Sequence, residues 1–248
     1  MIKNSSPSSL TTEKSADPIR IRYRIRFAKT GLLRWISHRD LARLWERLLR
    51  RAQLKLSMTE GFHPKPRISF PSALALGVES HDEVVEIELA EVWDATELLE
   101  KLREDRQPGL SIKEVRQLPV QFGKAQLDRS DYTVKVPSGI ETAAITKAVE
   151  RLKSQTTVQI QRKNKPVTID AAAQITAIDV MTVNEPNERE LRMTLAASET
   201  ATLRPSDVLD LLGFEDWIEQ GSLITRVRVH LRNEIDDLQP ERNESESN

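Results

Sequence analysis

The chain has 248 residues, 37 Lys+Arg against 38 Asp+Glu, 38% hydrophobic residues and no cysteine. That length fits one large or two small domains, and the lack of thiolates excludes iron–sulfur clusters, Cys-held zinc, disulfides and cysteine nucleophiles. No apolar run approaches the roughly 18 residues of a membrane span, and residues 1–17 are rich in Ser, Thr and Pro without an apolar core, so a cytoplasmic protein without a signal peptide is expected.

The balanced total conceals an asymmetry along the chain. From Pro18 to Arg67 there are 14 Lys+Arg and 3 Asp+Glu, net +11, whereas Ile68 to Asp131 carries 7 and 14, net −7. Residues 1–17 and 233–248 are polar and aperiodic, which predicts two flexible tails. Between them, Ile19, Ile21, Tyr23, Ile25 and Phe27 alternate with Arg20, Arg22, Arg24 and Arg26, a period of two that predicts a strand with one core face and one arginine face.

A turn signal at Lys29-Thr30-Gly31 is followed by Ser37 as an N-cap, with Asp40 three residues on and Ile36 and Leu41 placed as a hydrophobic staple. The helix expected over about 38–52 has an apolar stripe of Leu41, Leu44, Trp45, Leu48, Leu49 and Ala52, and an opposite side of Arg39, Arg43, Arg47, Arg50 and Arg51. Two prolines stiffen Gly61-Phe62-His63-Pro64-Lys65-Pro66-Arg67 and direct His63, Lys65 and Arg67 to one side. Strands near 68–76 and 83–90, a helix near 94–105 and a closing strand from Leu110 complete the order β-α-β-β-α-β.

The second half repeats that order. A strand at Tyr132, Val134 and Val136 precedes a helix entered through a Ser138/Glu141 capping box, then strand-like runs at 157–162 and 167–183 around Lys163-Asn164-Lys165-Pro166. A strand at 190–197, a short helix from Pro205 to a Gly213 C-cap and a final strand from Leu223 to Leu231 follow. The fold class expected is α+β, as two tandem ferredoxin-like units over 18–120 and 128–232.

The motifs Phe27-Ala28-Lys29-Thr30-Gly31, Leu33-Arg34-Trp35-Ile36-Ser37-His38-Arg39-Asp40-Leu41, Gly61-Phe62-His63-Pro64-Lys65-Pro66-Arg67-Ile68-Ser69-Phe70 and Leu76-Gly77-Val78-Glu79-Ser80 resemble the bacterial family of radical SAM-linked proteins, most closely over about 20–120. That family is a domain of unknown function found beside or fused to a radical SAM protein, often near genes for ribonuclease E/G and ribosomal proteins. The resemblance implies an accessory to a radical SAM partner in an RNA-related setting, and carries over no catalytic residue and no cofactor.

The candidate positions for binding RNA, another anion or the partner are Arg22, Arg24, Lys29, His38, Arg39, Arg43, Arg47, His63, Lys65 and Arg67. Glu86 and Glu88, on the strand expected beside the arginine strand, should neutralise about half of its charge. The helix has only Asp40 and Glu46 as counter-charges, and guanidinium groups grip phosphate and carboxylate better than ammonium does. Ser37, His38 and Asp40 do not form a triad at this spacing, because capping uses Ser37 and Asp40. No HExxH, P-loop or GxGxxG pattern occurs. The expected role is a non-catalytic adaptor; the competing readings are an RNA-processing or RNA-modifying enzyme using His38 or His63 as acid–base residue, and a purely structural subunit.

Overall fold

The computed structural model describes residues 19–183 and 188–234. The expected tail over 1–17, and positions 235–248 of the second, lie outside the described residues. Strand β1 (Ile21–Lys29) and helix α1 (His38–Arg51) are joined by a 3-10 turn at Gly31–Trp35. Then come β2 (Ile68–Ser69), β3 (Glu79–Leu89), α2 (Ala95–Arg103), β4 (Leu110–Leu118), β5 (Leu127–Lys135), α3 (Thr142–Lys153), β6 (Thr157–Arg162), β7 (Lys165–Asp170), α4 (Ala171–Gln174), β8 (Ile175–Thr182), β9 (Arg189–Ala196), α5 (Pro205–Leu212) and β10 (Ile224–Leu231).

Among the described residues the main sheet runs β4-β1-β3-β10-β5-β9-β8, with β2 also on β3, and every pairing but one is antiparallel. The two halves therefore share one α+β sheet. They meet where β10 runs parallel to the start of β3, in a register of only Thr225↔Glu79 and Arg226↔Ser80. Beyond those two pairs the same edge of β3 is taken by β2, at Ile68↔Ile87 and Ser69↔Glu86.

Alternation makes β1 amphipathic. Tyr23, Ile25 and Phe27 are fully buried with Leu41, Trp45, Leu48 and Leu49 of α1, and Phe27 meets the Trp45 ring edge-on at 5.0 Å. The second core gathers Val134, Ile145, Leu152, Leu191, Leu209 and Trp217. At Gly109 (φ +80°) a Cβ would stand 2.4 Å from the Thr30 carbonyl oxygen, so the turn entering β4 approaches the end of β1 through a residue that has none.

Four expectations are corrected. The strand near 68–76 stops at Ser69, and the following residues form a loop. Glu141, not Ser138, sits at the N-cap of α3, and no side-chain cap bond forms there. The run at 167–183 divides into β7, α4 and β8, because left-handed backbone at Lys163 and Asn164 turns β7 back onto β6 as a separate hairpin. In β10 a register shift between Arg226 and Arg228 breaks the expected alternation, leaving Arg226 buried and Val227 exposed.

Candidate anion-binding surface

The arginines of β1 lie on the sheet face opposite α1, and that face is covered. Arg24 is directly opposite Glu86 and bonds its carboxylate at 2.8 Å, both side chains being almost fully buried. Arg22 reaches the Phe122 and Gly123 carbonyls at 2.6 and 3.0 Å and lies 3.5 Å from Glu86. Arg26 bonds Asp82 at 2.6 Å and Glu234 at 2.8 Å. The carbonyl of Asn233 accepts from Arg24, so the expected C-terminal tail begins with two residues fastened to this face. The Glu86 neutralisation foreseen from sequence is present, whereas Glu88 turns to Arg67 at 3.6 Å.

Helix α1 presents the opposite situation. Ser37 caps it, accepting from the Asp40 amide at 3.1 Å while its hydroxyl donates to the Asp40 carboxylate at 2.6 Å. That hydrogen bond, helped by Arg43, holds the Asp40 carboxyl below its ordinary range, against a smaller opposing effect of desolvation. Arg43 pairs with Asp40, Arg50 with Glu46 and Arg51 with Asp105, all at exposed guanidiniums. Arg39 and Arg47 are exposed and have no ion-pair partner among the described residues.

The proline-stiffened loop folds back on itself, with the Thr59 amide donating to the Lys65 carbonyl at 2.8 Å and Arg67 Nε to the Met58 carbonyl at 3.1 Å. Phe62 stands fully exposed at its tip, and the His63 and Lys65 side chains are exposed and unpaired among the described residues. The His38 ring packs edge-on against Phe70 at 5.1 Å, which joins the start of α1 to the residue just after β2. No hydrogen bond links His38 to His63 among the described residues. No group of His, Asp and Glu suited to holding a metal ion occurs among them either.

Lys29, one of the candidates, is 1% exposed and donates to the Ile36 carbonyl at 3.4 Å. Burial pulls its ammonium below the usual lysine range, Glu83 opposes that shift and Arg226 adds to it. Sequence reasoning missed this neighbourhood. Arg226 of β10 is 4% exposed, bonds Glu83 of β3 at 3.0 Å and donates to the Tyr132 hydroxyl at 2.9 Å, tying the two halves beside their short parallel register. An arginine alternating with valines reads as a surface residue, and only the β10 register shift turns it inward.

An α+β protein with a mostly antiparallel sheet, one covered arginine face and one open basic helix face is the class these features define. The chain belongs to the bacterial family described as "Uncharacterized protein conserved in bacteria (DUF2344)", which matches residues 22–205. That description names no activity and no partner. No match was found among curated proteins. No helix among the described residues is long and apolar enough to cross a membrane.

Proposed function

We propose that the chain is a non-catalytic accessory protein that holds single-stranded RNA on the exposed face of α1 and the adjoining loop at 58–67. The observation that carries this reading is the contrast in pairing: β1's arginines are engaged inside the molecule, while Arg39 and Arg47 are exposed and unpaired among the described residues. Arg43 and His38 are exposed on the same helix, His63 and Lys65 are exposed on the loop, and Arg67 braces the loop. Exposed Trp35, two residues before the N-cap, and Phe62 at the loop tip offer rings on which bases stack.

In architecture each half is read as a ferredoxin-like unit, 18–120 and 128–232. The order β4-β1-β3 with β2 at the edge, and the order β10-β5-β9-β8 with the β6–β7 hairpin inserted, support it. The setting is cytoplasmic and the partner is a radical SAM enzyme, both resting on sequence and on the resemblance of the 27–80 motifs. A protein-docking role has its own support: Leu32, Trp35 and Leu76 are exposed, and the backbone of Gly77 bonds to that of Arg34, so the loops bearing them lie together.

The test is fluorescence anisotropy of a labelled oligouridine with the wild-type chain and with the Arg39→Glu/Arg43→Glu/Arg47→Glu variant. Binding should weaken, and the slope of log affinity against log salt should fall by about 2, at about 0.7 per phosphate contact. Unchanged RNA binding together with lost capture of the radical SAM protein would assign the surface to the protein partner instead.

A further inference from the structure

A cavity of about 1050 Å³ lies between the 71–78 loop of the first half and the 197–205 segment of the second, beside the β3–β10 junction. Its size is that of a small-molecule site. Four arginines line it, Arg162, Arg204, Arg226 and Arg232, against one acidic residue, Glu199. Arg162 and Arg226 are held by Asp207 and Glu83, which fixes their guanidiniums in place. Arg204 and Arg232 are exposed, and their side chains have no ion-pair partner among the described residues.

The second observation is Ser130 on the cavity wall. Ser130 is 1% exposed and its hydroxyl has no hydrogen-bond partner among the described residues. A buried hydroxyl without a partner carries an uncompensated desolvation cost, so native proteins give such groups a partner. Nearby, the Ser72 hydroxyl accepts from Arg226 at 3.0 Å, and Leu74, Val78, Leu127 and Leu203 supply an apolar lining. Exposed cationic groups, a buried hydroxyl without a partner among the described residues and an apolar lining together describe an amphipathic anion. Two unpaired guanidiniums match the double charge of a phosphate monoester better than the single charge of a carboxylate.

We infer that this cavity binds a small organic phosphate monoester, with the phosphate between Arg204 and Arg232 and the apolar body against Leu74 and Leu203. The site is separate from the α1 surface and shares no residue with it.

Isothermal titration calorimetry of the full chain with phenyl phosphate, inorganic phosphate, benzyl alcohol and benzoate tests it. Phenyl phosphate should bind saturably at one site, about tenfold or more tighter than inorganic phosphate or benzyl alcohol, with benzoate in between. Arg204→Ala and Arg232→Ala should each weaken phenyl phosphate about tenfold, and Ser130→Ala several-fold, with the urea midpoint kept. Oligouridine binding should be unaffected by these variants, so failure here and failure of the RNA reading are distinguishable. Absence of saturable phenyl phosphate binding, equal binding of benzoate, or affinity untouched by both arginine variants would overturn the inference.

Discussion

The arginines of β1 and those of α1 come from one stretch of about thirty residues, yet they serve opposite ends. On β1 a guanidinium stands opposite a glutamate on the neighbouring strand, and the 122–125 and 233–234 segments close over the same face. On α1 the guanidiniums have only short-range acidic neighbours on their own helix and Asp105, and Arg39 and Arg47 have no ion-pair partner among the described residues. Local composition thus says little about whether a basic stretch is available to a ligand. What decides is whether the fold brings acidic groups and carbonyls from far along the chain to the same place.

The strongest way to break this contrast is to remove the acid beneath the strand. Glu86→Ala leaves Arg24 buried without its counter-charge, and urea unfolding should register a loss of roughly 3–5 kcal/mol. Pairing it with Arg24→Met should recover most of that loss, because the burial of an uncompensated charge is then removed. If Glu86→Ala alone leaves the midpoint unmoved, the strand arginines are not internally committed.

On α1 the same experiment concerns its inner side. Leu48 is fully buried between β1 and the helix, so Leu48→Ala should lower stability by about 2–5 kcal/mol in the same assay. A loss under about 0.5 kcal/mol, the range of surface substitutions, would put the helix on the wrong face.

A smaller, pH-dependent effect sharpens the comparison at Lys29, the β1 cation that is buried rather than paired with a carboxylate. Its folded-state pKa lies below that of the unfolded chain, so between the two values the unfolded state binds the extra proton and Lys29 makes stability rise with pH. Lys29→Met should therefore be more stable than wild type at neutral pH, with the advantage shrinking as the solution becomes alkaline. A difference in urea midpoint that stays constant with pH would contradict this.

What the sequence made legible was whatever repeats locally. The period-two run of β1, the Ser37–Asp40 cap and the stripe of α1 each lie within one element, and each formed as expected. Glu86 opposite Arg24 was also legible, since it follows from strand order and register alone. The covering of the arginine face was not, because it rests on Phe122 and Asn233, which are 100 and 209 residues distant from the arginines they meet. Arg226 and the junction cavity were hidden for a related reason: a register shift that no residue pattern announces turned one side chain inward. The strand expected near 68–76 ends at Ser69, and Leu74, with Val78 just beyond that range, serves the second core from a loop.

The smallest expected effect on stability accompanies the largest expected effect on binding. Replacing Arg39, Arg43 and Arg47 together by glutamate should change folding stability by no more than about 0.5 kcal/mol per site, since all three are exposed. The most direct measurement is the salt dependence of oligouridine binding for this variant beside the wild type, with the urea midpoint of both recorded. An α1 face that holds RNA gives a fold left intact, weaker binding and a slope reduced by about 2. Equal affinity and equal slope with the fold intact would contradict it, and the α1 arginines would then be solvated charges.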